Sequence, residues 1–154
     1  MTMADELSLR WAALAGLLFG AVGAGVVAAF SVVPWDGAAW DGHMLAVVAL
    51  GVGAVGACCW LVVVEGTGHW RLRNRGALAG TLTGVFGPAG FVLAASLFGE
   101  ALGGTAGPVE RVGAALFVGL VNLLYVGWLA LPLGTATGYL LGRQRETPSD
   151  RNPI

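Results

Sequence analysis

The chain contains no lysine and only two cysteines, and charged residues make up just 11% of its 154 positions. An ordinary soluble domain carries about a quarter charged residues, so this one has less than half the supply needed to cover a surface in water. The net charge of −1 and pI near 6.0 leave no basic footprint, and nucleic acid is not expected as a partner. Cys58 and Cys59 are adjacent in an apolar run with no distant cysteine to pair with, which excludes a disulfide framework. His43 and His69 lie toward opposite ends of the same apolar segment, too far apart to complete a metal set. The two thiols therefore read as small apolar residues packed in a helix. All eight basic residues are Arg, a usage expected of a GC-rich prokaryotic genome.

Catalytic signatures are also missing. The chain has no hydrolase elbow, phosphate-cradling loop, zincin pair or haem motif, and the Gly51-x-Gly53 pair lacks the strand and acidic residue of a dinucleotide site. No catalytic residue, metal or cofactor is expected, and the protein is not expected to be an enzyme. Ionisable residues inside membrane segments are the usual pointers to ion pathways, and none lies deep in any apolar segment here. Proton-coupled export through a small four-helix protein would need such an acid. The first apolar segment, WAALAGLLFGAVGAGVVAAFSVV, has none.

What the chain has in abundance is apolar sequence: 56% hydrophobic residues, 26 glycines and a mean hydropathy of +0.78. About 20 mainly apolar residues are needed for a helix to cross the hydrocarbon core. Four segments qualify, at about 11–33, 44–64, 76–98 and 112–141, followed by a short tail at 143–154. Helices are the only open-ended solution in lipid, because each backbone N–H and C=O must be satisfied within its segment. The expected fold is thus all-α: a polytopic membrane protein in the form of a four-transmembrane-helix bundle, with the lipid bilayer as its partner. The first segment reads as a retained helix rather than a cleaved signal, being longer than a typical signal h-region and preceded by Asp5 and Glu6.

Arginine placement sets the expected orientation. Arg10, Arg71, Arg73, Arg75, Arg143, Arg145 and Arg151 fall on one side of the four spans, and only Arg111 on the other. Both termini are therefore expected in the cytoplasm, in a cell membrane. Trp11 and Trp70 would anchor the inner boundary and Trp35 and Trp40 the outer one, with Trp60 and Trp128 inside spans as packing or lipid-facing residues. Glu65, at the inner end of span two, is expected to pair with Arg71 or Arg73 and so fix the inner loop.

Residues 13–23 (ALAGLLFGAVG) and 77–87 (ALAGTLTGVFG) share A-L-A-G-x-L-x-G-x-x-G at a displacement of 64 positions. This is the pattern of two tandem helical hairpins, although partial matches come easily in a chain so rich in Gly and Ala, and spans two and four show no comparable match. Gly16 and Gly20 in span one, Gly76, Gly80 and Gly84 in span three, and Gly134, Gly138 and Gly142 in span four recur every four residues. At that spacing they lie along one helix face and let another helix approach closely, either within the bundle or in a homo-oligomer or larger membrane complex.

Pro132 is expected to kink span four, with Thr135 and Thr137 satisfying carbonyls near it, and Pro108 suits the first turn of that helix. Asn122 and Tyr125, together with Thr81 and Thr83, are the candidates for polar contact inside the membrane. The expected function is that of a non-enzymatic packing subunit, assembly factor or scaffold. The alternative is a small oligomeric transporter or channel for a neutral solute.

Overall fold

The computed structural model describes residues 3–31, 42–66, 70–98 and 107–146, and no strand occurs among them. Four helices follow in order: α1 (Met3–Ser31), α2 (Gly42–Trp60), α3 (Leu72–Phe98) and α4 (Pro108–Arg145). A π-helical turn, Leu61–Glu65, extends α2. Each helix contains a stretch long and apolar enough to cross a membrane: Glu6–Ala29, Gly42–Glu65, Leu72–Ala95 and Leu123–Arg145.

The helices extend beyond the expected apolar segments, for local reasons. α1 starts at Met3 rather than near Trp11, with Glu6 close to its beginning, where the helix dipole favours acids. α3 starts at Leu72, so Arg73 and Arg75 belong to its first turn and not to the preceding loop. Of its first backbone donors, the Arg73 N–H donates to the Glu146 Oε1 at 3.2 Å and those of Asn74 and Arg75 donate to the Arg71 carbonyl. α4 is the longest, at 38 residues, or about 57 Å at 1.5 Å per residue. Pro108 occupies its first turn and the Glu110 carboxylate accepts the Gly107 N–H at 3.1 Å. α4 is one continuous helix through the run 112–141 read from the sequence, and Leu123–Arg145 within it is long and apolar enough to cross a membrane. α3 contains a proline of its own, Pro88, in addition to the expected Pro132 in α4.

α3 and α4 form the most extensive pairing. α2 packs against α1 on one side and α3 on the other, and α1 meets α4 over a shorter stretch. The best-filled core lies where α1 and α3 begin and α2 and α4 end, and is built from Ala12, Ala15, Phe19, Trp60, Val63, Val64, Ala79 and Leu141. The outer surface carries Leu17, Leu50, Val62, Phe117, Leu124 and Trp128, a continuous apolar exterior of the kind a bilayer covers.

Candidate functional site

Within each hairpin the helices meet backbone to backbone. A Cβ placed on Gly16 would lie 2.8 Å from the Gly53 carbonyl oxygen, and one on Gly53 would lie 2.8 Å from that of Gly16. One turn further along α1, Gly20 stands directly on the Ala49 carbonyl. Between α3 and α4, Gly76 and Gly138 face each other's carbonyls, and so do Gly80 and Gly134. A Cβ on Gly84 would sit 3.1 Å from the Ala130 carbonyl oxygen, and one on Gly142 would sit 2.8 Å from the Arg73 Cα. Gly51 of α2 and Gly90 of α3 join the hairpins, each within 2.8 Å of the other's carbonyl oxygen on the same measure. Such approach gives dispersion contact and room for Cα–H···O interactions, which hold helices together where lipid supplies no hydrophobic drive.

The contacts of the two hairpins correspond pair by pair. Gly16 on Gly53 and Gly20 on Ala49 match Gly80 on Gly134 and Gly84 on Ala130. The first helices are offset by 64 positions. The contacts place the second helices at an offset of 81, where Ala49-Leu50-x-x-Gly53 aligns with Ala130-Leu131-x-x-Gly134. The third glycines of the shared pattern, Gly23 and Gly87, both face Val52: a Cβ on each would lie 3.0 and 3.3 Å from its Cγ1. The correspondence breaks where the hairpins join. The positions equivalent to Gly51 and Gly90 hold Pro132 and Val26.

At the arginine-rich end a set of polar contacts ties all four helices. The Arg145 guanidinium makes a two-point ion pair with Glu65, Nη1 to Oε1 and Nη2 to Oε2, the second at 3.1 Å. Its carbon also lies 6.0 Å from the centroid of the Trp11 ring, at the limit of cation–π attraction. Arg75 is only 9% exposed, and its Nε donates to the Val63 carbonyl at 3.3 Å, satisfying one of the carbonyls that every helix C-terminus leaves open. Arg71 and Arg73 are not the partners of Glu65, contrary to the expectation from sequence. Nearness along the chain favoured them, but antiparallel packing brings the end of α4 level with the end of α2. Sequence reasoning also missed the burial of Arg75. The available signal was an acid at the end of one span and an Arg-x-Arg at the end of another.

The threonine hydroxyls bond carbonyls one turn back in their own helices, and one pair also bonds across helices. Thr81 and Thr135 are hydrogen-bonded to each other at 2.8 Å across α3 and α4. Thr135 also bonds the Leu131 carbonyl at 2.7 Å and Thr137 the Leu133 carbonyl at 2.8 Å. These carbonyls flank Pro132, but the one whose helical donor Pro132 removes is that of Trp128. Thr83 is buried and bonds the Ala79 carbonyl at 2.8 Å. Tyr125 is 65% exposed on the outside of α4, not turned into the bundle, and its carbonyl accepts the Trp128 indole N–H at 2.9 Å. The Asn122 side chain and His69 lie outside the described residues. Cys58 is exposed, not packed as its apolar setting implied, and Cys59 is half-buried beside Thr83. Among the described residues no three His, Cys, Asp or Glu side chains cluster to hold a metal ion.

No family model matches the chain, and neither a curated protein nor a solved structure matches it.

Proposed function

We propose that the chain is a non-enzymatic component of a cell membrane, a packing subunit, assembly factor or scaffold, with both termini in the cytoplasm. The observation that carries this reading is the way the helices meet. Glycine contacts bring backbones together in both hairpins and between them, and Glu65, Arg75, Arg145 and Glu146 tie helices to one another. A bundle joined in this way is suited to presenting its outer faces to lipid and to neighbouring proteins. The seven-to-one distribution of Arg supports the orientation. The pairwise correspondence of contacts supports a further reading: the chain is two copies of one helical hairpin in tandem, with a connection 17 positions longer in the second (81 against 64).

The test is purification at native expression level in mild detergent, with crosslinking and mass spectrometry. Stoichiometric partner proteins are the expected result. A homo-oligomer without partners that conducts a neutral solute in liposomes would replace this reading with that of a channel or transporter.

A further inference from the structure

The polar end of the bundle has a surplus of positive charge that its internal contacts do not use. Glu65 is taken by Arg145, and the Glu146 carboxylate is turned onto the Arg73 backbone N–H. Arg75 is buried against Val63. The side chains of Arg71, Arg73 and Arg143 make no ion pair or side-chain hydrogen bond among the described residues. Arg71 and Arg143 are exposed and Arg73 is half-exposed.

These three arginines sit at one junction. A Cβ on Gly142 would lie 2.8 Å from the Arg73 Cα, so Arg143, the next residue of α4, stands beside the first turn of α3. Trp70, exposed next to Arg71, adds an amphipathic ring of the type that sits among lipid headgroups. The result is a cationic patch where α4 ends beside the start of α3.

We propose that the α3–α4 junction binds the phosphate of an anionic phospholipid, with Arg71, Arg73 and Arg143 as its ligands. Guanidinium groups recognise phosphate oxygens through paired N–H donors, and the acyl chains of the same lipid would run along the apolar exterior of α3 and α4. Each arginine near an anionic membrane surface adds about 1 kcal/mol, which for three corresponds to a preference of roughly a hundredfold. The inference rests on the membrane reading above.

The experiment uses the full chain in detergent, titrated with short-chain phosphatidylglycerol or phosphatidylcholine, with bound lipid counted by native mass spectrometry. Phosphatidylglycerol is expected to be retained and phosphatidylcholine not. The triple variant Arg71→Gln, Arg73→Gln, Arg143→Gln should lose retention by tenfold or more. Arg111→Gln, the same change at the far end of α4, should keep it. Equal retention of the two lipids overturns the proposal, and so does a triple variant that binds normally or an Arg111→Gln variant that loses lipid equally. Inorganic phosphate that displaces phosphatidylglycerol at equal concentration would also overturn it, by showing a site for the free anion. Resistance of wild type and triple variant to carbonate extraction from membranes separates the two ideas. A chain that is extracted fails the membrane reading, whereas a retained chain without lipid preference fails only this one.

Discussion

Trp60 is the largest side chain in the core and is fully buried, and its indole N–H is without a hydrogen-bond partner among the described residues. Leaving a buried donor unmet costs about 1–3 kcal/mol, whereas the ring fills space among Ala12, Ala15, Phe19 and Leu141. The two effects can be separated. Trp60→Phe keeps an aromatic ring and removes the donor, so its unfolding free energy in detergent should be unchanged or higher by about 1 kcal/mol. Trp60→Ala should lower it by about 3–5 kcal/mol. A loss as large for Phe as for Ala, measured by denaturant titration in micelles, would mean that the indole N–H has a partner. From sequence Trp60 was legible only as a residue within a span. A helix apolar on every side offers no polar face from which to read which residues point inward.

At the scale of helices, the decisive property of a glycine is what stands opposite it. Gly80 faces the Gly134 carbonyl, where neither side can give way without moving a backbone, and Gly25 has nothing within 4 Å. Gly80→Ala should therefore force α3 and α4 apart and destabilise by about 1–3 kcal/mol, as overpacking does. Gly25→Ala should be neutral or stabilising by up to about 1 kcal/mol, since alanine is the better helix former. The melting temperatures of the two variants in the same detergent check this, and similar shifts would refute the interface. The four-residue spacing of Gly76, Gly80 and Gly84 was visible in the sequence, because a helix turns spacing into a face. The identity of the facing helix was not, since a glycine face is equally suited to a helix of the same chain or of another.

For the whole molecule, the matched contacts of the two hairpins imply that each is a packing unit with its own glycine seam. The hairpins join through Gly51 and Gly90. Residues 1–68 and 69–154, expressed together as separate chains, should then co-purify when only one is tagged, and Gly90→Leu should abolish the co-purification. Halves that never associate, while the intact chain folds normally, would contradict the tandem arrangement. Spans one and three share a sequence pattern at a constant offset of 64, whereas the contacts that match in spans two and four are offset by 81, so a search at one offset pairs only the first set.

The sequence by itself determined that the chain is helical, that it has four long apolar segments, and that its charges lie at their ends. These follow from composition and from the length of uninterrupted apolar sequence, which are properties of the chain alone. Only the tertiary structure decided that the glycine faces meet within one molecule, that Glu65 pairs with Arg145 and not with its neighbours Arg71 and Arg73, and that Arg75 is buried while Tyr125 turns outward. Each of these depends on which helices lie side by side and at what height. Antiparallel packing sets both by bringing together residues as far apart in the chain as Glu65 and Arg145 or Trp11 and Arg145.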